Sequence, residues 1–533
     1  MNERPSVPVG RLGSPHPAVF GRRLHNILTT GLTALIPAVA GLAITLSSPH
    51  VNPVLILGLM FGVACVLWLL ISHRYEVTLT VLALYLGLLD GPIKLESASK
   101  ASSGVRDVLL VAISLGLLMR LVVSRQRVRL PPLSAWVIAF TLFVLVEALN
   151  PQTHGILKIL GGYRQLLEWV PLFFFGYLVM RSKERLRKFF LLLGVIALAN
   201  GLVGTVQAKI SPNALAAWGP GYSGIVHGGK QGTGLTARTY KSEGVSRARP
   251  PALGSDSGFG GGVGVIALPG LLALLAAGPK RRRWLVMLCA IGALLGIATA
   301  ASRTSAVSAV IVLLTFGLLS PLSGIRVGRA FVGLVVVLGL ALAVASVLVA
   351  ANGAGIFARQ ESLTHTSELA EHGGGAKERS LAAIPGYLKQ APFGLGLGTS
   401  GSVGGFGGHQ KLEIEGQRVT GGSVYNLLAN ELGAPGLLLW LGLSFNVILL
   451  AGTRIRKVID TELRTYLLAL VVAFISLSIQ GISGPTLAVT TGAFLWFAPG
   501  VISYWFAGGG RAALRNRSSS GEPLTISNEA VPA

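Results

Sequence analysis

Charge is scarce in this chain: 12% of its 533 residues are Asp, Glu, Lys or Arg, against about a quarter in soluble domains. Cysteine is almost absent, with Cys65 and Cys289 alone and both inside apolar runs, which excludes a disulfide framework or a cysteine zinc site. Acidic residues number 21 against 45 basic ones. No Walker lysine follows the glycines, and no H-E-x-x-H cluster occurs. What the chain has instead is apolar length: 51% hydrophobic residues and a mean hydropathy of +0.65. That composition belongs to a polytopic membrane protein.

The formal charge of +24 follows from the same reading. Lys and Arg gather in short loops after alternate apolar runs, such as Lys280-Arg281-Arg282-Arg283, as expected for loops kept on the cytoplasmic side. No nucleic-acid partner is expected. Fourteen candidate spans fall at 27–47, 54–71, 77–89, 108–123, 133–149, 166–180, 189–206, 259–277, 284–301, 305–319, 330–351, 432–451, 466–482 and 487–506. The run at 77–89 is the weakest, since Asp90 ends it. The fold class predicted is all-α and polytopic, with about 12–14 transmembrane helices and two large extracytoplasmic loops. Its divisions are a cytoplasmic tail (1–26), an N-terminal bundle (27–206), a first large loop (207–258) and central helices (259–351). A second large loop (352–424), C-terminal helices (425–507) and a cytoplasmic tail (508–533) complete it. The last of these is too polar to build a core.

The chemistry-bearing residues lie around the loops. Arg303, in Ala301-Ser302-Arg303-Thr304-Ser305, sits where one span ends and the next begins. A cation there snorkels as an interfacial anchor or faces an anion. Arg379 lies on an expected amphipathic helix with Leu381, Ile384 and Leu388, which Pro385 interrupts. Two such guanidinium forks could grip one phosphate or pyrophosphate. Arg247 and Arg249 in the first loop and Arg164 before the sixth span are lesser candidates. Gly396-Leu397-Gly398-Thr399-Ser400-Gly401 fits G-x-G-x-x-G, but Pro392 stands where a strand should lead in and more glycine stands where a helix should follow. A nucleotide is therefore not expected.

The order Ala301-Ser302-Arg303, then Arg379 with Ala382-Ala383, then Pro392-Phe393-Gly394-Leu395-Gly396, then Tyr425 to Gly433 resembles the O-antigen ligase and polymerase superfamily. The triplet Asp256-Ser257-Gly258 resembles that family's first-loop exit. The resemblance implies a multi-pass enzyme of the cytoplasmic (inner) membrane with extracytoplasmic active loops. Such enzymes move a glycan from an undecaprenyl-pyrophosphate lipid to a hydroxyl on a glycan or lipid acceptor, without metal, nucleotide sugar or other cofactor. It also implies membrane-lipid contacts and neighbours such as a flippase or chain-length regulator. Arg303 and Arg379, with Arg247, Arg249 and Arg164 behind them, would then face the pyrophosphate. Family ligases carry a histidine at the position that is Gly422 here, followed by Ser423. That departure leaves His409 as a substitute catalytic base, with Glu413, Glu415 and Glu431 as alternatives, and favours a polymerase over a ligase. A transporter or flippase is the competing reading, with Glu147 and Glu168 as its deep acids.

Overall fold

The structure is a computed structural model that describes residues 75–97, 100–123, 130–153, 155–228, 239–242, 245–325, 381–400, 413–414, 417–418, 422–484, 486–487 and 490–507. The chain divides into two compact units. The first, Met1–Thr78 with Val111–Gln126, is described at 75–78 and 111–123 only, and is helical there. The second, Leu79–Leu110 with Arg127–Ala533, carries the main bundle.

In chain order the helices are α1 (Tyr75–Leu84), continued by a π-turn (Tyr85–Leu89) into α2 (Asp90–Ser97), then α3 (Lys100–Val123) and α4 (Ser134–Val146). Next come α5 (Ile156–Leu167), α6 (Pro171–Val179), α7 (Lys183–Lys209) and, in the first large loop, α8 (Pro212–Ala216) and α9 (Pro220–His227). The central group is α10 (Phe259–Ala277), α11 (Arg283–Thr299) and α12 (Arg303–Leu322). The last are α13 (Ile384–Gln390), α14 (Val424–Arg454), α15 (Thr461–Gln480) and α16 (Gly492–Ala507). Two small antiparallel hairpins, β1 (Thr239–Ser242) with β2 (Val245–Ala248) and β3 (Glu413–Ile414) with β4 (Gln417–Arg418), are the strands among the described residues.

Seven helices among the described residues are long and apolar enough to cross a membrane. Two shorter apolar helices, Ser134–Leu149 and Gly492–Ala507, accompany them. The protein is an all-α polytopic membrane protein, as its composition predicts. The expected spans at 27–47, 54–71 and 330–351 lie outside the described residues. The packing around α7 depends on small residues: a Cβ on Gly201 would stand 2.0 Å from the Gly292 carbonyl oxygen on α11, so the two backbones touch there.

Three sequence expectations are revised. Asp90 does not end the weak span at 77–89, because a candidate span runs over Glu76–Glu96. Its carboxylate is buried inside and paired with the Lys94 ammonium at 2.7 Å, one helical turn away. The run at 166–180 is divided: α5 ends at Leu167, and Pro171, which has no N–H to give, opens α6. The span expected at 432–451 is longer, Val424–Lys457, and is broken at Gly433.

Successive long helices alternate in direction and sort the connections to two ends. At one end Lys183 pairs with Asp460 and Glu462 at 2.8 and 2.9 Å. There also Arg464 donates to the Ser323 carbonyl and Arg454 to that of Phe506. At the other end Gln207 meets Ala252, the Val424 N–H meets the Gly481 carbonyl, and the Leu395 N–H meets the Asn430 carbonyl. The first-loop exit and the second loop's residues 392–400 thus share the end opposite the basic connections.

Candidate functional site

The exit of the first large loop is fixed by two amides on α7. Gln207 both accepts from the Ala252 N–H (2.8 Å) and donates to the Ala252 carbonyl (3.0 Å). Asn200 accepts from the Leu253 N–H at 3.1 Å and donates to the Gly87 carbonyl at 2.9 Å. Both amides are buried, so each replaces water for backbone that would otherwise be unsatisfied. Their spacing of seven puts them on one face of an apolar helix, a legible signal that sequence reasoning passed over. The held loop, 250–258, leads through left-handed Gly258 into α10.

That junction stands against the start of α12. Ser302 caps the helix, accepting from the Ser305 N–H at 3.4 Å. A Cβ on Gly258 would touch Ser302, and one on Gly261 would lie 2.6 Å from the Ser305 hydroxyl. Arg303 is therefore the first residue of a helix whose cap abuts the first-loop exit; its side chain lies outside the described residues. Arg249 is half-buried in the same exit. Arg247 sits on β2 opposite Tyr240, its side chain likewise outside the described residues.

Directly beside this junction runs an apolar groove of about 110 Å³ between α1, α7, α10 and α16. Leu82, Leu86, Ile196, Val263 and Phe494 form its walls; Phe259, Thr490 and Thr491 stand where it meets the loops. Phe259 is the first residue of α10, so the groove reaches the first-loop exit.

The second large loop contributes a strap, residues 392–400, buried from Gly394 onward and wedged between α5 and the broken α14. Pro435 cannot supply the N–H that would continue the helix to Glu431, and Gly433 takes φ 63°, ψ −157°, which side-chain-bearing residues avoid. The strap repairs the break from both sides. Leu395 N–H donates to the Asn430 carbonyl at 2.7 Å, and Ala434 N–H donates to the Pro392 carbonyl at 2.8 Å. On the α5 side, Asn150 donates to the Gly394 carbonyl at 3.2 Å and Thr153 accepts from the Leu397 N–H at 3.0 Å. Glu431 is fully buried, and its Oε1 accepts from the Ser400 N–H, the Ser400 hydroxyl and Gln165 at 3.1, 3.3 and 3.2 Å.

The sequence candidates separate accordingly. Arg379, His409 and Glu415 lie outside the described residues, and Glu413 lies on β3 with its side chain outside them. Gly422, where a family ligase would carry histidine, is exposed just before Ser423, which caps α14 by accepting from the Asn426 N–H at 3.0 Å. Glu431 is shut away from any acceptor hydroxyl and serves the strap. Arg164 pairs with Asp107 at 3.1 Å, with about a third of each side chain exposed. The missed residues are Asn200, Gln207, Gln165, Asn150 and Thr153, which build the platform rather than face it. Compared with known protein families, with curated proteins and with solved structures, the chain gives no match.

Proposed function

We propose that this protein is an integral-membrane glycosyltransferase of the O-antigen ligase and polymerase type. It takes a glycan from undecaprenyl pyrophosphate at the outer face of the cytoplasmic membrane, and acts as a polymerase rather than a ligase. The observation that supports the reading most is the apolar groove reaching Phe259 beside the first-loop exit, with Ser302, the α12 cap that precedes Arg303, against that exit. The apolar walls suit a segment of a lipid tail, and arginine forks are the side chains suited to an anionic head group. In the reaction the acceptor hydroxyl oxygen attacks the anomeric carbon, and the bond from that carbon to the pyrophosphate breaks. The pyrophosphate leaves with the electron pair and its charge is met by Arg303 and Arg379. A base takes the hydroxyl proton, a task for which His409 is the sequence candidate. The acids that a transporter would use are engaged: Glu168 pairs with Arg106 at 2.6 Å, and Glu147 accepts from Asn150.

The glycans of a deletion strain test this reading. Single units retained without long chains mean a polymerase; full-length chains left on the lipid carrier mean a ligase; an unchanged profile removes both. Arg303→Lys is expected to lower product formation by about one to two orders of magnitude at matched abundance, because an ammonium cannot reproduce the bidentate fork. Full activity of that variant would take Arg303 out of the mechanism.

Sidedness is tested by thiol labelling. Ser400 is buried in the strap, so the reporter for the second loop is Phe393→Cys, at a side chain 68% exposed. With Asn213→Cys in the first loop, it is expected to react with an impermeant reagent without lysis of the inner membrane, whereas Arg281→Cys reacts only after lysis. The opposite pattern would invert the topology.

A further inference from the structure

The glycine tract that resembles a nucleotide loop is packed into the bundle. Gly394, Gly396 and Gly398 take φ of 98°, 86° and 69°, while Leu395 and Leu397 between them are not among the residues of positive φ. These turns send successive backbone N–H groups to different partners: Leu395 to the Asn430 carbonyl, Leu397 to Thr153 and Ser400 to Glu431. The strap is also close to its neighbours: a Cβ on Gly396 would stand 2.3 Å from Thr153 Oγ1, and one on Gly398 would stand 2.5 Å from the Lys158 carbonyl oxygen. Only glycine meets both demands.

The carboxyl group of Glu431 lies against the end of this tract, at Ser400. The Ser400 N–H reaches its Oε1 at 3.1 Å, and the Ser400 hydroxyl and Gln165 complete its shell. No Lys or Arg pairs with Glu431 among the described residues. A carboxyl group with no exposure and no cation is costly to bury unless hydrogen bonds replace its water. Ser400 and Gln165 supply them to Oε1, while Oε2 has no hydrogen-bond partner among the described residues.

We infer that Glu431, through its hydrogen bonds from Ser400, latches the 394–400 tract into the break of α14. Glu431 is then a positioning residue for the second large loop, and the latch stands whatever reaction the protein performs. The chain leaves the latch toward Arg379 on one side and toward His409 on the other, so it fixes where both segments join the bundle.

The test uses the full chain in membranes, with Cys65→Ser so that buried Cys289 is the remaining native thiol and serves as an internal control. Thr399→Cys, at a buried strap position, reports on the latch. In this background Glu431→Ala is expected to speed thiol labelling at position 399 by at least about tenfold while Cys289 stays protected. Glu431→Gln, whose amide oxygen can accept the same three hydrogen bonds, is expected to restore protection. Equal labelling at position 399 in the parent and the Ala variant would overturn the latch. Equal gains at position 399 and Cys289 would overturn it too, since that pattern is loss of the whole fold. Failure of Glu431→Gln to restore protection would overturn the hydrogen-bonding account.

Discussion

Replacing Arg106 with alanine is expected to destabilise the bundle by about 3–5 kcal/mol, the usual cost of leaving one partner of a buried ion pair alone. Arg106 on α3 reaches Glu168, between α5 and α6, through two contacts, Nε to Oε1 at 2.6 Å and a terminal nitrogen to Oε2 at 3.0 Å. The side chains are 10% and 6% exposed, and the guanidinium lies 5.1 Å from the Trp169 ring centre. Arg106 also lies 3.8 Å from Asp107, which pairs in turn with Arg164. That outer pair is about one third exposed, so its loss is expected to cost no more than about 1 kcal/mol. Thermal unfolding of the solubilised protein should therefore separate Arg106→Ala and Glu168→Ala from Arg164→Ala. Replacing both buried partners with methionine should recover most of the loss, because no lone charge is left behind. A melting temperature for Arg106→Ala equal to that of the parent would show that the pair carries no such weight.

Gly433→Ala is expected to be the most damaging alanine substitution in α14. Its φ and ψ lie in a region reserved for glycine, which alone costs about 1–3 kcal/mol for a side-chain-bearing residue. The added Cβ would also stand 2.2 Å from the Pro392 carbonyl oxygen and 2.5 Å from the Gly394 nitrogen. Both are backbone atoms of the strap and cannot rotate aside. Relief requires moving the strap, which gives up the two backbone hydrogen bonds across the break, each of about 1 kcal/mol net. The sum is about 3–5 kcal/mol. Gly452, in the same helix, is the control: nothing lies within 4 Å of its Cβ position. Gly452→Ala should be neutral or stabilising by up to about 1 kcal/mol, since alanine is the better helix former. Equal thermal stability of the two alanine variants would contradict the account of the break.

Proline and glycine made part of this legible beforehand. Gly433-Ala434-Pro435-Gly436 announces an interruption, and Pro392 with the alternating glycines announces an irregular segment. That one interruption is filled by the other is not written in either segment. The two lie more than thirty residues apart in the chain, and no periodicity links them. Asp90 misled for a related reason: an acid inside an apolar run reads as a boundary until its Lys94 partner is seen one turn on.

The sequence by itself determined the class of the protein. Apolar runs of membrane length, with basic residues in alternate connections, leave helices crossing a bilayer as the available solution, because backbone polar groups must be satisfied within each segment. It also marked out Arg303, since a cation at a helix junction is visible in one dimension. Only the tertiary structure decided which polar residues serve the scaffold. Glu168 became the partner of Arg106, Asn200 and Gln207 became holders of the first loop, and Glu431 became the acceptor that holds Ser400. The physical reason is that burying a polar group is settled by its partners, and those partners come from helices far apart in the chain.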